Sequence, residues 1–282
     1  MLVLIALIWA GSFLVVDVAT EEIDPVHLGF LRFLVATPLM ISTLFIAKKP
    51  KTLPKKEFPY LIVLGLTGVT FLYIFQFTGI RDTTASTASV LINTNVIFIV
   101  FLSVIFLKER FSKKKLTGVM LAIFGVIIVI YIKLSNAEFN NVFFMGSIFM
   151  LLSALCWAIY TIVGKRLLKK YDVFTVTTYA FVFGIILYFP FVFPGIFKTI
   201  QNLSINGWLA VLYLAVFCSI VAYIVWYYAL QKTETSKAAV HLSLIPMFTI
   251  ILSSIVLKEA VTLLFIVGAA LIIYGVNLTE RS

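Results

Sequence analysis

The chain has 282 residues, of which 62% are hydrophobic and 12% are charged, with a formal net charge of +10. A soluble domain carries about 25% charged residues, so this composition excludes an ordinary water-soluble surface. The basic residues fall in short loops between apolar runs, which is typical of membrane proteins and argues against a nucleic-acid partner. The sequence therefore predicts an integral membrane protein that contacts the lipid bilayer.

Apolar runs recur along the whole chain, and each is long enough for one membrane-spanning helix. Such a helix needs about 20 residues to cross a hydrocarbon core of roughly 30 Å. The fold class is therefore predicted to be all-α, a polytopic membrane protein with ten transmembrane helices. The predicted spans are 1–18, 25–47, 58–80, 84–107, 114–132, 143–164, 173–195, 207–230, 236–257 and 260–278.

Lysine and arginine are divided unevenly between the two sets of loops. The even-numbered loops and the C-terminal tail carry seventeen of them, whereas the odd-numbered loops carry four. Cytoplasmic loops collect these residues. We therefore predict a multi-pass protein of the cell membrane with both the N- and the C-terminus in the cytoplasm.

The chain also resembles itself at an offset of 150 residues. Leu107–Glu109 matches Leu257–Glu259, and Tyr73 falls on Tyr223. Each half holds five predicted helices, and since five is odd, the second half enters the membrane from the opposite side. We predict two inverted five-helix repeats, residues 1–134 and 143–280. Secondary transporters use this architecture, with the substrate near the midplane between the repeats.

Glycines repeat at the same offset near the end of each half. Gly118 and Gly125 lie two helical turns apart, and Gly268 and Gly275 repeat the spacing. Stripes of small residues let membrane helices approach closely, so we predict a packing role for all four. The same stripes are compatible with a homodimer.

Short motifs with the same order and spacing occur in both halves. They are Trp9–Phe13, Arg32, Thr84–Ser86, Leu107–Arg110 and the paired glycines in the first half, and Trp157–Tyr160, Pro246 and Leu257–Glu259 in the second. Over essentially its whole length the chain resembles the EamA-like ten-helix branch of the drug/metabolite transporter superfamily. The resemblance implies a carrier of small metabolites, often outward, rather than an enzyme. One departure is Val96, which replaces the proline that usually matches Pro246 and predicts a less bent fourth helix.

Arg32 is the most informative polar residue, because it lies roughly 10 Å inside the second predicted span. A charge there costs at least a few kcal/mol and normally faces the bundle interior with a partner. Two roles remain open: binding a carboxylate or phosphate of the substrate, or capping carbonyls and pairing with Asp17. The resembled family commonly has arginine here whatever its substrate, which favours the structural role.

A candidate substrate cavity follows from aromatic and polar side chains at helical spacing. Aromatic rings with a few polar groups suit a ligand pocket, although many rings are expected to face lipid. Serines and asparagine on one helical face either bond across packed helices or line a cavity. The candidates are Trp9, Ser12, Arg32, Tyr73, Gln76, Ser86, Asn93, Trp157, Tyr160, Tyr223, Tyr227 and Ser243.

All twelve acidic residues lie in loops or at helix ends. Coupled pumps usually carry protons or sodium on a midplane carboxylate, so we predict facilitated exchange or gradient-driven efflux. His241 is the candidate for proton coupling, although its place near the cytoplasmic end favours a side chain at the interface. No metal and no cofactor are predicted.

These observations predict a secondary transporter, not driven by ATP, that exports amino acids or related metabolites by alternating access. A carrier for multiple drugs or cationic compounds is the alternative within the same class. A membrane-embedded lipid-modifying enzyme is the alternative from another class. That chemistry needs clustered carboxylates with a metal, or a nucleophile beside a base, and the sequence offers neither cluster.

Overall fold

The computed structural model describes residues 1–46, 53–107, 113–135, 141–232, 242 and 244–280, and these residues form helices and no strand. The all-α prediction is therefore confirmed for the described chain. The helices are α1 Leu2–Ala19, α2 Pro25–Ile46, α3 Lys55–Asp82, α4 Ala85–Ile92, α5 Asn95–Leu107, α6 Lys113–Ser135, α7 Asn141–Leu168, α8 Val173–Val192, α9 Ile196–Asn202, α10 Ile205–Lys232, α11 Leu244–Val256 and α12 Leu263–Glu280.

Seven stretches of the described chain are long and apolar enough to cross a membrane, namely α1, α2, α3, Ala85–Phe106, α7, α8 and α10. Three shorter apolar segments follow the same pattern: Leu116–Val129, Leu244–Val256 and Leu263–Gly275. About half of each long stretch is buried inside the protein. The other half exposes large apolar side chains such as Phe106 and Ile186, as expected for a surface solvated by lipid. The count of ten spans stays a prediction.

The helices α2 and α8, which lie at matching places in the two halves of the sequence, each begin at an aspartate N-cap. The Asp24 carboxylate accepts hydrogen bonds from the backbone N–H groups of Val26 and His27 at 2.9 and 3.2 Å, at the start of α2. Asp172 accepts from the N–H of Thr175 at 3.1 Å and caps α8. Each cap satisfies donors that a helix start leaves unpaired.

The fourth predicted span is interrupted, which corrects the expectation of a less bent helix there. Hydrogen bonding changes to the i to i−3 pattern at its centre: the N–H of Thr94 donates to Leu91 O at 3.1 Å and that of Val96 to Asn93 O at 3.4 Å. The hydroxyl of Thr94 also donates to Leu91 O, at 2.7 Å, and such local side-chain bonding to the backbone competes with regular helical bonding. Proline is therefore not needed to separate α4 from α5.

Two π-helical segments widen α3 and α10, and the sequence did not predict them. They are Leu66–Thr70 and Leu214–Val221, so a shift of 150 residues places the first within the second. In each, a hydroxyl donates to the carbonyl five residues earlier: Thr70 to Gly65 at 3.3 Å and Ser219 to Leu214 at 2.9 Å. Such segments free backbone carbonyls and often occur at functional sites.

The α6 and α12 helices pack tightly on each other through the four predicted glycines. A Cβ atom added to Gly125 would lie 2.7 Å from the carbonyl oxygen of Gly268, and one added to Gly275 would lie 2.5 Å from that of Gly118. Any larger residue would push the two backbones apart. The glycines therefore permit the close contact that dispersion forces between membrane helices require.

Candidate functional site

A cavity of about 50 Å³ lies between helices of the first half and helices of the second half. This space holds a few water molecules. Its walls come from α1, α2, α3, α4, α5, α7, α11 and the residue Leu242. The lining residues are Trp9, Ser12, Phe13, Arg32, Leu72, Tyr73, Gln76, Ile92, Asn95, Trp157, Leu242 and Ile245.

Six of the predicted site residues line this cavity: Trp9, Ser12, Arg32, Tyr73, Gln76 and Trp157. Three predicted tyrosines lie in an aromatic layer behind it. Tyr160 and Tyr223 have ring centroids 5.6 and 5.7 Å from that of Trp157, and Tyr227 stacks on Tyr160 at 5.1 Å. The predicted aromatic set is thus one continuous cluster around the cavity.

The remaining candidates lie elsewhere. The Ser86 hydroxyl bonds to that of Ser253 and so joins α4 to α11, which is the role of bonding across packed helices. Asn93 is buried at the turn after α4. His241 and Ser243 lie outside the described residues.

Arg32 is buried, with 1% of its surface exposed, and its hydrogen bonds within the described chain go to uncharged groups. Its Nε donates to the Ser219 hydroxyl at 2.6 Å and its Nη2 to the carbonyl oxygen of Cys218 at 2.9 Å. Its guanidinium carbon lies 4.2 Å from the centroid of the Tyr73 ring, a cation–π geometry. The π-helical segment of α10 supplies both acceptors, so the predicted capping of carbonyls is present. The structure shows no ion pair between Arg32 and any acidic side chain of the described chain, including Asp17.

A second hydrogen-bonded chain joins the two halves through equivalent tyrosines. The hydroxyls of Tyr73 and Tyr223 are 2.8 Å apart. Tyr223 donates onward to the carbonyl oxygen of Gly68 at 2.9 Å, within the π-helical segment of α3. Tyr73 is therefore the donor between the two hydroxyls, since each hydroxyl has a single proton.

Trp9 connects the cavity wall to the same carbonyl that Arg32 uses. Its indole N–H donates to Cys218 O at 3.1 Å, and its ring meets Trp157 edge to face at 5.5 Å. Cys218 O thus accepts two hydrogen bonds, one of them from a cation. These two hydrogen bonds hold the lining residues Trp9 and Arg32 in place.

Some of the buried polar atoms that have no partner in the described chain lie at the cavity and at the turn beside it. The carbonyl oxygen of the Asn95 side chain and the indole nitrogen of Trp157 are buried and find no hydrogen-bond partner in the described chain. Both amide atoms of Asn93 are in the same state. An unpaired buried polar group costs about 1–3 kcal/mol. These groups are therefore ready to pair with a ligand or with water.

Sequence reasoning missed half of the lining. The missed residues are Phe13, Leu72, Ile92, Asn95, Leu242 and Ile245. Five of them are apolar and could not be distinguished from lipid-facing neighbours. Asn95 did carry a signal, because it repeats the amide of Asn93 two residues later in an otherwise apolar run.

Two polar contacts close opposite ends of the bundle. Beside the start of α2, Glu22 accepts hydrogen bonds from the backbone N–H and the hydroxyl of Ser204 at 2.8 and 2.7 Å. These two bonds lower the pKa of the Glu22 carboxyl below its usual value. Beyond the end of α2, Lys170 forms an ion pair with Glu57 at 3.0 Å. Each contact joins one half of the chain to the other.

This architecture, with many apolar helices around a mixed polar and aromatic cavity, is that of a multi-pass membrane transporter. The EamA-like transporter family model matches residues 1–131 and 144–280. The chain belongs to this family, within the drug/metabolite transporter superfamily, which confirms the resemblance drawn from the motifs.

Relatives and a solved structure agree with that placement. An uncharacterized transporter of Archaeoglobus fulgidus is 37% identical over 279 residues, covering 99% of this chain and 96% of the relative. A probable amino-acid metabolite efflux pump of Escherichia coli is 29% identical over 282 residues, covering 96% and 91%. A crystal structure matches with a TM-score of 0.70 at 16% identity, covering 98% of this chain and 94% of that one, which supports the fold alone.

Proposed function

We propose that this transporter exports amino acids or related metabolites across the cell membrane by alternating access, without ATP. The observation that carries the proposal is the cavity between the two halves, where one cation, two amides and several aromatic rings meet. Such a lining suits a small polar metabolite with an apolar part. The Escherichia coli relative, a probable amino-acid metabolite efflux pump, points to the same substrates.

Inverted repeats are one architecture that provides alternating access, and several contacts support that arrangement. Tyr73 and Tyr223 are 150 residues apart in sequence and bond to each other, as equivalent residues do beside a twofold axis. The glycine contacts obey the same rule, since the offset exchanges the Gly118–Gly275 pair with the Gly268–Gly125 pair. Inverted repeats of this kind rock around a fixed midplane site.

The cavity is contracted in this structure, because about 50 Å³ accommodates a few waters rather than a metabolite. Substrate binding must therefore widen it. Ile92 and Asn95 line the cavity on either side of the turn between α4 and α5. The π-helical segment of α10 bonds to the lining residues Trp9 and Arg32, and that of α3 ends two residues before the lining residue Leu72. Irregular helical bonding yields more easily than a regular helix. We propose that these three places absorb the movement.

Transport by proteoliposomes tests the proposal directly. The purified chain is expected to exchange one or more radiolabelled amino acids against an internal load of the same compound. Ser12→Trp fills the cavity and should abolish exchange, whereas Leu7→Trp, on an exposed position of the same helix, should not. Exchange that persists in Ser12→Trp, or a wild-type chain that moves no amino acid, contradicts the proposal.

Labelling of single cysteines tests the inverted topology. Cysteines at positions 109 and 259 are expected to react with an impermeant maleimide from opposite faces of intact cells, with residue 109 on the cytoplasmic side together with both termini. Labelling of both from the same face would exclude the inverted repeat.

A further inference from the structure

We propose that the Arg32 guanidinium is an anion subsite of the cavity that binds the substrate carboxylate. The substrate class is then a metabolite with one carboxylate and no net positive charge, such as a zwitterionic amino acid. This inference rests on the proposed transport function, because it assigns chemistry to the same cavity.

The first reason is an unneutralised charge. Arg32 is 1% exposed, and buried charges in membrane proteins pair with an opposite charge or with backbone carbonyls, of which only an opposite charge neutralises them. Its hydrogen-bond acceptors here, the hydroxyl of Ser219 and the carbonyl of Cys218, are neutral. None of the acidic side chains within the described ranges forms an ion pair with it. A substrate anion supplies the missing charge.

The second reason is the geometry of the donors. A guanidinium has five N–H groups in a planar fork, and the structure uses two of them in hydrogen bonds to the α10 π-helical segment. Those two bonds and the Tyr73 ring hold the fork while it borders the cavity. Donors that remain can bind a carboxylate, the planar anion that such a fork matches best.

The third reason is the set of residues that line the cavity together with Arg32. Asn95 lines the same cavity and presents a buried side-chain carbonyl oxygen without a partner in the described chain. That oxygen can accept from the amino group of a substrate whose carboxylate lies on Arg32. The rings of Trp9, Tyr73 and Trp157 provide apolar faces for a side chain. Together these groups suit a zwitterion with an apolar substituent.

The same charge argues against cationic drugs and against phosphate esters. A cation beside Arg32 would be repelled at short range in a medium of low dielectric constant. A phosphate dianion would leave one negative charge unpaired, since Arg32 is the only charged residue of the described lining. A single carboxylate balances the charge.

The experiment compares each amino acid with its own α-carboxamide in proteoliposomes of the full chain. In each pair the carboxylate that Arg32 is proposed to bind is replaced by an uncharged carboxamide. The wild-type protein is expected to prefer the acid by roughly tenfold or more, the value of one charge-assisted hydrogen bond. Equal transport of acid and amide would overturn the carboxylate assignment without any variant.

Variants then test whether Arg32 is responsible for the preference for the acid over the amide. Arg32→Gln should reduce the ratio of acid to amide transport toward one, and Arg32→Lys should keep part of it because it retains the charge. Arg166→Gln is the matched control, since Arg166 also lies over a tyrosine ring, 4.4 Å from the centroid of Tyr60, but does not line the cavity. A full preference that survives in Arg32→Gln overturns the assignment to Arg32.

Two further outcomes are separable. If phenyl phosphate competes with amino-acid exchange and phenylacetate does not, the subsite binds phosphate and the carboxylate assignment is wrong. If the wild-type chain moves neither the acids nor the amides, the proposed export function itself fails, and the subsite fails with it.

Discussion

The π-helical segments of α3 and α10 occupy equivalent places in the two halves but bind different groups. Gly68 O in the first accepts from the neutral hydroxyl of Tyr223. Its counterpart 150 residues later, Cys218 O, accepts from Trp9 and from the cation of Arg32. The same widened helix thus anchors a tyrosine in one half and a charge in the other.

This difference shows how two similar halves of one chain come to differ in charge. Each half has one π-helical carbonyl that accepts a side-chain hydrogen bond from another helix. At offsets of 148 to 150 residues the counterpart of Arg32 is Ala180, Phe181 or Val182, none of them charged. The one cation of the described lining therefore comes from the first half, which also contributes most of the other lining residues.

The largest expected effect comes from adding a side chain to the first of these segments. A Cβ atom on Gly68 would lie 2.1 Å from a ring carbon of the fully buried Tyr160. Gly68→Ala should therefore cost up to about 3 kcal/mol of stability, as overpacking does. Thermal unfolding in detergent measures the loss. Cys218→Ala, which shortens the side chain at the equivalent position, should lower stability clearly less. A larger loss in Cys218→Ala than in Gly68→Ala would contradict the difference drawn between the two segments.

Removing the tyrosine hydroxyl is the next strongest test. Tyr223→Phe removes the side-chain hydrogen bond to Gly68 O in a buried segment, together with the acceptor of the Tyr73 hydroxyl, and should cost about 2 kcal/mol. Tyr73→Phe retains the bond between Tyr223 and Gly68 O, so about 1 kcal/mol is expected. Chemical or thermal unfolding of the two variants side by side gives the difference. Equal losses would mean that the carbonyl of Gly68 does not depend on Tyr223.

A smaller effect is expected from Thr70 and Ser219, the two residues whose hydroxyls donate to the carbonyl five residues earlier. Thr70→Val removes bonds to Gly65 O and Gly184 O and should lower stability by about 1 kcal/mol without changing the apparent substrate affinity. Ser219→Ala also removes the acceptor of Arg32 Nε, so it should weaken apparent substrate affinity as well. Transport measured over a range of substrate concentrations distinguishes them. Similar kinetics in both variants would show that the α10 π-helical segment does not affect substrate binding.

The smallest effect is expected from the contact between Glu22 and Ser204 at one end of the bundle. The pKa of Glu22 is lowered by its bonds to Ser204, so its stabilisation is present above the usual value of 4.5 and is lost as pH falls through the lowered value. Glu22→Gln should flatten this acidic part of the profile of unfolding temperature against pH. The control is Glu21→Gln, at the exposed neighbouring glutamate. An unchanged profile in Glu22→Gln would exclude the role of this contact.

Much of the helical framework could be predicted because its causes are local. Runs of about 20 apolar residues predict helices wherever the solvent is lipid. Asp24 and Asp172 mark helix starts by their chemistry. The short helix α9 was missed because its seven residues are too few for a span and lie in a predicted loop.

The site could be predicted only in part, because its chemistry depends on backbone irregularities. Helical spacing and residue type identified Trp9, Arg32 and Tyr73 without reference to any contact. The partners of Arg32 could not be predicted, since the sequence around Cys218 gives no signal for a π-helical segment whose carbonyl accepts side-chain hydrogen bonds. The bond between Ser86 and Ser253 likewise joins residues that the 150-residue offset does not pair.

Accessibility of one cavity residue tests alternating access most directly. Gln76→Cys, in a chain whose buried Cys156 and Cys218 are replaced by alanine, places a single thiol in the cavity. An impermeant maleimide should reach this thiol from either face of oriented vesicles, and saturating substrate should protect it on both. Labelling from one face only, or labelling that substrate does not affect, would contradict a carrier with one central site open alternately to each side.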